Sequence, residues 1–273
     1  MTMIAMDRVN GIPVLGVGTY PLRDEDAMRS VSTALELGLR HIDTAQMYGN
    51  EAAVGRALNV SGLPRGDLFV VTKVDPANLA KDRFASSVAK SMDDLGSPAD
   101  LLLIHWPPPD SDFAATVERL IAEKQKGMAK AIGVSNFNPA MLRRAQSLAQ
   151  GAIICNQVEF HPLLDQSKLL ATARELGIAL AAYSPLARGR ALQPKIIQDI
   201  AAKLGRPPAE VVLRWIIQQG VAAIPMTTKR ENALSNINAL HFTLPDEDMA
   251  AISVLGTRAG RTISPSWMAG RWD

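Results

Sequence analysis

The chain has 273 residues, of which 47% are hydrophobic and 21% charged, and its formal net charge is +2. This near-neutral balance gives no reason to expect nucleic acid or an anionic membrane as a partner. The single cysteine, Cys155, excludes an intrachain disulfide framework and fits a packing role in a reducing compartment. Because no secretory signal and no apolar run of about 18 residues is visible, we expect a cytoplasmic protein.

The chain opens with the signals of a hairpin, a strand and a helix. Asn10-Gly11 between two short apolar stretches predicts a tight hairpin turn, and residues 14–18 predict the first strand. Asp24 is predicted to cap a helical pattern that ends at Gly38, since glycine is typical of helix C-termini.

Beyond residue 38, apolar strand-like runs alternate with helical patterns. The strand-like runs end near Asp43, Lys73, His105, Ser135, Glu159, Tyr183 and Pro225. Helical patterns include residues 81–95, 113–126, 165–176 and 208–219. With the first strand this makes eight strands in a strict βα repeat, which predicts an α/β fold, a single (β/α)8 TIM barrel domain over residues 1–273. A helix over residues 246–255 and an irregular tail with Trp267 and Trp272 are expected to follow the barrel.

Polar side chains end three of these strands, at Asp43, Lys73 and His105, and Tyr48 follows Asp43 by a short loop. Parallel barrel strands point the same way, so the four side chains are expected to meet at the carboxyl-end face. A desolvated lysine needs an anion, for which Asp43 on the neighbouring strand is the candidate. The ammonium is expected to lower the pKa of Tyr48 and make it a general acid, while His105 donates to a substrate oxygen.

The same residues leave three interpretations open. They can form an acid–base site, a site in which Lys73 forms a Schiff base with its substrate, or a structural ion pair beside a loop tyrosine. A metal site is not expected, because the four histidines form no HExxH motif and Cys155 has no partner cysteine. The turn at residues 16–18 lacks the third glycine of the Rossmann fingerprint, so a nucleotide would bind without a Rossmann domain.

Short motifs along most of the chain resemble the signatures of the aldo-keto reductase superfamily, including its bacterial members named for 2,5-diketogluconate reduction. They are GVGT at 16–19, HIDTAQMYGNE at 41–51, VTK at 71–73, LLIHWP at 102–107, IGVSNF at 132–137, NQVE at 156–159 and YSPL at 183–186. The resemblance implies a catalytic tetrad of Asp43, Tyr48, Lys73 and His105. It also implies reduction of aldehydes and ketones to alcohols by hydride transfer from NADPH, with Tyr48 as the proton donor.

The resemblance also implies the cofactor contacts. Gly18, Thr19 and Asp43 are implied at the nicotinamide end, Ser135, Asn136 and Gln157 at its carboxamide, Tyr183 against its ring, and Ser184 and Leu186 in the pyrophosphate loop. The substrate pocket is expected to use Tyr20, Tyr48, His105, Trp106 and Trp267. We expect a monomer acting on a small carbonyl compound, namely an aldehyde, an α-dicarbonyl or a keto-sugar. A non-catalytic nucleotide-binding barrel and a Schiff-base lyase using Lys73 are the alternatives.

The segment expected to bind the adenosine 2′-phosphate departs from the family pattern. Residues 224–236 read IPMTTKRENALSN, with Met226 in place of the usual lysine and Asn232 in place of the usual arginine. The residues that remain for this site are Thr227, Thr228, Lys229, Arg230 and Asn236. Lys229 and Arg230 fall at a predicted helix start, where amides and positive charge favour a phosphate. We therefore expect NADP as the cofactor rather than NAD.

Overall fold

The strands form a small hairpin and one large parallel sheet in this computed structural model, which describes residues 7–272. β1 (Arg8–Val9) and β2 (Ile12–Pro13) pair antiparallel, and Asn10 and Gly11 between them have φ angles of 48° and 80°. The large sheet contains β3 (Gly16–Gly18), β4 (His41–Asp43), β5 (Phe69–Val74), β6 (Ala99–Ile104), β7 (Ala129–Ser135), β8 (Ile153–Glu159), β9 (Ala179–Tyr183) and β10 (Val221–Ile224). The predicted hairpin is therefore present.

The eight parallel strands follow one another in sequence order and close on themselves. At the seam between β3 and β10, Leu15 forms a parallel bridge with Ala223, whose amide donates to the Val14 carbonyl at 2.8 Å. The Gly18 amide donates to the Pro225 carbonyl at 3.0 Å on the same seam. The structure thus confirms the (β/α)8 barrel, and the carboxyl ends of all eight strands meet at one face.

Ten α-helices lie among the described residues. They are α1 (Asp24–Glu36), α2 (Glu51–Val60), α3 (Lys81–Leu95), α4 (Phe113–Gln125), α5 (Pro139–Leu148), α6 (Ser167–Glu175), α7 (Lys195–Leu204), α8 (Pro208–Gln218), α9 (Arg230–Asn238) and α10 (Asp246–Ser253). Two helices, α7 and α8, connect β9 to β10, so the strict βα alternation predicted from the sequence is broken once. α7 buries Ile197, Ile200 and Ala201, which follow helical spacing.

The predicted ends of α1 were wrong by one or two residues. Asp24 is the first residue of the helix rather than its cap, and Arg23 occupies the cap position without a side-chain cap bond. The helix ends at Glu36, and Gly38 comes after the C-cap residue Leu37 with a φ of 98°. A glycine just beyond the cap can adopt this left-handed conformation without strain. The glycine therefore marks a position after the helix end and not the last residue of the helix.

Two apolar clusters hold the barrel together. The larger one fills the layer between the strands and the surrounding helices. The smaller one lies inside the barrel and includes Val71, Leu101, Leu103, Cys155 and Ile224. Ile12 of the hairpin is fully buried and packs into this inner cluster. The interior is therefore a packed core.

Candidate active site

The centre of the carboxyl-end face is a buried ion pair between neighbouring strands. Lys73 of β5 is 0% exposed, and its Nζ donates to Oδ1 of Asp43 in β4 at 2.6 Å. The ammonium also donates to the Thr44 carbonyl at 2.8 Å and to the Tyr48 hydroxyl at 3.2 Å. Each of its three protons therefore has an acceptor, as a charge removed from water requires.

Tyr48 is held over this pair by a short 3-10 turn, Gln46–Tyr48, that follows β4. Lys73 Nζ lies 4.9 Å from the centre of the phenol ring. The side-chain oxygen of Gln46 accepts from the Asp75 amide at 2.9 Å, and its nitrogen donates to the Ser91 hydroxyl at 3.1 Å. The sequence analysis did not identify Gln46, whose side chain ties the turn to the loop after β5 and to α3.

The ammonium stays protonated because of its neighbours, and the phenol stays protonated because of its burial. Burial alone would lower the pKa of Lys73, but the nearby Asp43 and Tyr48 raise it above its ordinary value. Burial raises the pKa of Tyr48, and the Lys73 ammonium opposes that rise without cancelling it. The predicted lowering of the Tyr48 pKa was therefore wrong, because desolvation of the phenolate outweighs the neighbouring positive charge.

His105 follows the last residue of β6, and its ring lies edge-on to Tyr48 with 5.5 Å between centroids. Burial, together with the Lys73 charge, holds the pKa of His105 well below its ordinary value, so the imidazole is neutral. Its Nδ1 is buried without a hydrogen-bond partner among the described residues. Nε2 is thus the nitrogen that remains open toward the cavity described next.

A cavity of about 760 Å³ opens directly above these residues. Of the residues named from the sequence, it is lined by Gly18, Thr19, Tyr20, Asp43, Tyr48, His105, Trp106, Asn136, Gln157, Tyr183, Ser184 and Leu186. Met47, Arg188, Ile224 and Ile263 also line it, and no sequence pattern singled them out. Met226, noted above only as the replacement of a lysine, lines it as well. The volume is within the range of about 300–1,000 Å³ typical of small-molecule and cofactor sites.

Amide side chains next to the tetrad form a connected network. Gln157 Nε2 donates to Oδ2 of Asp43 at 2.6 Å, which leaves its Oε1 without a partner among the described residues. The Tyr183 hydroxyl donates to Asn136 Oδ1 at 2.7 Å, so the ring of Tyr183 is fixed beside the cavity. Ser135 lies behind this wall, since its hydroxyl donates to the Gln157 carbonyl and it does not line the cavity.

The predicted phosphate segment lies beside the cavity. Thr227, Thr228, Lys229 and Asn236 line a small pocket that shares Pro225 with the large one. The side chain of Lys229 makes no hydrogen bond or ion pair with the described residues. Arg230 is already engaged, because its Nη1 lies 2.8 Å from Oε2 of Glu36 at the end of α1.

The chain after α10 folds back over the cavity; residues 256–272 are called the C-terminal tail below. Trp267 and Trp272 both pack edge-on against Trp106, with ring centroids 6.2 and 6.1 Å away. Trp267 is 59% exposed and is not part of the cavity lining, where the tail contributes Ile263 instead. No sequence signal distinguishes Ile263, because its place depends only on how the tail folds.

Within residues 7–272, no three His, Cys, Asp or Glu side chains lie close enough together to hold a metal ion. No helix in the same range has the length and apolar character needed to cross a membrane.

Comparison with known proteins places this geometry in a family. The model of the aldo/keto reductase family matches residues 10–256. The chain belongs to the aldo/keto reductase family. The methylglyoxal reductase DkgB of Escherichia coli O157:H7 is 42% identical over 266 residues, which cover 96% of this chain and 99% of that protein. An aldo-keto reductase of Mycobacterium sp. strain MCS is 40% identical over 259 residues, covering 93% of this chain and 92% of that protein.

Solved structures agree with the family match. A crystal structure provisionally assigned as 2,5-diketo-D-gluconic acid reductase B superimposes with a TM-score of 0.94 at 40% identity, covering 100% of this chain and 98% of the other. The Bombyx mori aldo-keto reductase in complex with NADP superimposes with a TM-score of 0.90 at 30% identity, covering 100% and 99%. The chain is therefore an NADPH-dependent oxidoreductase that reduces carbonyl compounds, as the sequence predicted.

The ion pair gives a stability prediction. Lys73→Met removes the ammonium and leaves the Asp43 carboxylate buried without its counter-ion, so we expect a loss of about 3–5 kcal/mol in the free energy of unfolding. Urea denaturation measures this loss. The double variant Lys73→Met/Asp43→Asn removes both charges and should be more stable than the single variant. A single variant within about 0.5 kcal/mol of the parent, the range of ordinary surface substitutions, would contradict the assignment.

Proposed function

We propose that the chain reduces small uncharged aldehydes and α-dicarbonyl compounds such as methylglyoxal, with Tyr48 as proton donor. The observation that carries the proposal is the contact between the Lys73 ammonium and the Tyr48 hydroxyl at the floor of the cavity. At neutral pH the raised pKa of Tyr48 keeps its proton on Oη. The carbonyl oxygen becomes basic only as reduction proceeds, and at that point the phenol can transfer its proton.

Lys73 and Asp43 act through Tyr48 in this proposal. The ammonium stabilises the phenolate left after proton transfer, while Asp43 holds the ammonium in place and keeps it charged. A Schiff base at Lys73 is disfavoured by the same facts. Such chemistry needs a lysine with a lowered pKa and a free amine, whereas Lys73 has a raised pKa and three hydrogen bonds.

His105 is proposed to orient the substrate. Its neutral ring can donate one hydrogen bond from Nε2, and this nitrogen faces the cavity beside Tyr48. The Nε2–H of His105 and the hydroxyl of Tyr48 can then both donate to the same carbonyl oxygen of the substrate. These two hydrogen bonds fix the position of that oxygen before the proton is transferred. A purely binding barrel, the other alternative, would have no use for a phenol coupled to a buried ammonium.

The residues present fit a nicotinamide cofactor. The free Oε1 of Gln157 provides a polar contact for a carboxamide. Asn136 Nδ2 already donates to the His105 carbonyl and the Ser135 hydroxyl, so Asn136 can offer only the second lone pair of its Oδ1. Tyr183 presents a fixed aromatic ring beside them. Ser184 and Leu186 continue the lining along the loop after β9. When bound, the reduced nicotinamide supplies the hydride. The protein places the carbonyl carbon and holds the proton.

Lys229 is proposed to select NADPH. It stands immediately before α9, where free helical amides and the dipole favour a phosphate, and its ammonium has no competing partner among the described residues. Arg230 is expected to contribute less, because binding a phosphate would require it to leave Glu36. Met226 lines the cavity and offers no charge at the position where the family pattern has a lysine.

The substrate end of the cavity supports small uncharged carbonyl compounds. Near Tyr48 its walls are Tyr20, Met47, Trp106 and Ile263. Among the described residues that line the cavity, only Asp43 and Arg188 are charged, and Asp43 is paired with Lys73. Arg188 follows Leu186 in the loop after β9, and it is the one unpaired cation among the described residues that line the cavity.

Because one chain contributes every member of the tetrad, we also propose that it acts as a single-domain monomer.

The activity and the proton donor can be tested together. The parent protein should oxidise NADPH when methylglyoxal is added, and Tyr48→Phe should lower kcat by at least about 100-fold because the carbonyl oxygen loses its proton source. NADPH binding, measured by protein fluorescence, should stay within about twofold of the parent, since ring and packing are kept. A Tyr48→Phe variant with parental kcat would overturn the proton-donor assignment.

Cofactor selection is tested by single substitutions at the start of α9. Lys229→Ala should raise the dissociation constant of NADPH about tenfold, because one charge-assisted contact to the phosphate is lost. The affinity for NADH should be unchanged. Arg230→Ala is the matched control and should have the smaller effect on NADPH. Dissociation constants from isothermal titration calorimetry check both variants. If Lys229→Ala lowers the affinity for NADPH and for NADH equally, Lys229 does not bind the 2′-phosphate.

A further inference from the structure

Glu159 is the most completely buried carboxylate near the cavity that the proposed mechanism does not use. It is the last residue of β8, its side chain is 0% exposed, and it lies two residues beyond Gln157 on the same strand. Side chains two apart in a strand point to the same side, so β8 directs Gln157 and Glu159 to the same face of the sheet. A buried carboxylate needs several hydrogen-bond donors, and the segment that supplies them is the segment that Glu159 holds in place.

Most of the donors come from the C-terminal tail. The amide of Thr262 donates to Glu159 Oε1 at 2.7 Å, and the Thr262 hydroxyl donates to the same oxygen. The amide of Ile263 donates to Oε2 at 3.1 Å, and Arg261 Nη1 lies 3.8 Å from Oε2. Among the described residues of the barrel itself, only His161 Nε2 contacts the carboxylate, at 3.0 Å. The tail therefore supplies most of the hydrogen-bond donors that this carboxylate requires.

These bonds set the position of one cavity wall. Because consecutive amides of Thr262 and Ile263 both point at the carboxylate, the backbone at this point is fixed and the Ile263 side chain is directed to the cavity. Burial would raise the pKa of Glu159, but the hydrogen bonds from His161, Thr262 and Ile263 lower it overall. The carboxylate is therefore charged at neutral pH, and all its donors bond to an anion.

Neighbouring contacts show that the tail lies close to the barrel on both sides of this anchor. Before it, the Thr257 amide donates to the Leu163 carbonyl at 3.1 Å, and Gly260 passes so close that an added Cβ would lie 1.7 Å from the same carbonyl oxygen. After it, Asn138 donates to the Arg271 carbonyl at 2.9 Å. Glu159 is the only charged group among the described barrel residues that binds the tail backbone at the cavity wall itself.

We propose that Glu159 is a positioning residue for the substrate: its carboxylate anchors the tail so that Ile263 and the segment behind it close the substrate end of the cavity. This inference rests on the proposed carbonyl reductase function. Glu159 contacts neither the substrate nor the cofactor in this assignment. Its loss should weaken substrate binding while the proton donor and the nicotinamide contacts stay in place.

The test is Glu159→Gln, which keeps the shape but replaces one acceptor oxygen with an NH₂ group that faces tail donors. We expect the KM for methylglyoxal to rise about tenfold, since hydrogen bonds to a charged group are lost. The kcat should stay within about threefold and the NADPH dissociation constant within about twofold, because Tyr48 and Gln157 are unchanged. Trypsin should also cut after Arg258 or Arg261 in the tail faster than in the parent protein.

Two further variants separate anchoring from general destabilisation. Glu123→Gln is the matched control, because Glu123 is also a buried glutamate. Glu123 lies in α4 and forms an ion pair with Lys126 at the end of that helix, away from the tail. It should leave both the KM and the rate of tail cleavage at parental values. Thr262→Val removes only the hydroxyl bond and should move both readouts in the same direction as Glu159→Gln by a smaller amount. In the Glu159→Gln background, Thr262→Val should add little.

The possible outcomes distinguish the anchor from the proposed function. Parental KM and parental tryptic cleavage in Glu159→Gln, or in Thr262→Val if Glu159→Gln does not fold, would overturn the anchor. An equal loss of NADPH and substrate affinity would also overturn it, because the effect would not be confined to the substrate end. If the parent protein reduces no carbonyl compound, the proposed function fails, and tryptic cleavage still reports whether Glu159 holds the tail.

Discussion

The buried ion pair between Lys73 and Asp43 is the constraint on which the arrangement of the barrel face depends. Two charges removed from water are tolerated only if each of their hydrogen-bonding positions is satisfied. The ammonium meets this requirement with Asp43, the Thr44 carbonyl and the Tyr48 hydroxyl. The second oxygen of Asp43 accepts from Gln157. The positions of the phenol and of the amide beside it therefore follow from the need to satisfy one pair of charges.

Burial of the site and the charge of Lys73 together set the protonation states that carbonyl reduction needs. Desolvation keeps the phenol of Tyr48 protonated and the imidazole of His105 neutral, while the positive charge remains on Lys73. A proton donor should hold its proton until the substrate oxygen becomes basic, and it should then form an anion that the site can stabilise. Burial provides the first property and the ammonium provides the second. These two opposing influences on one phenol are the central feature of the proposed mechanism.

The barrel and its polar face could be predicted from the sequence because both follow from local patterns. Apolar runs with a polar residue at the end mark parallel strands, and parallel strands bring those residues together. The direction of the Tyr48 pKa could not be predicted in this way, since it depends on how much water the folded site excludes. The engagement of Arg230 by Glu36 and the entry of Ile263 into the cavity depend on contacts between distant segments. No periodicity in the sequence records such contacts.

The direct test of the central claim is the pKa of the Tyr48 phenol, measured with and without the ammonium. The chain has three tyrosines, so Cζ carbon-13 labelling gives few signals, and substitution of Tyr20 and Tyr183 assigns them. Titration by NMR should be carried out over the pH range in which circular dichroism shows parent and Lys73→Met folded. We expect the Tyr48 pKa to be lower in the parent than in Lys73→Met by about one pH unit or more. The same pKa in both proteins would contradict it.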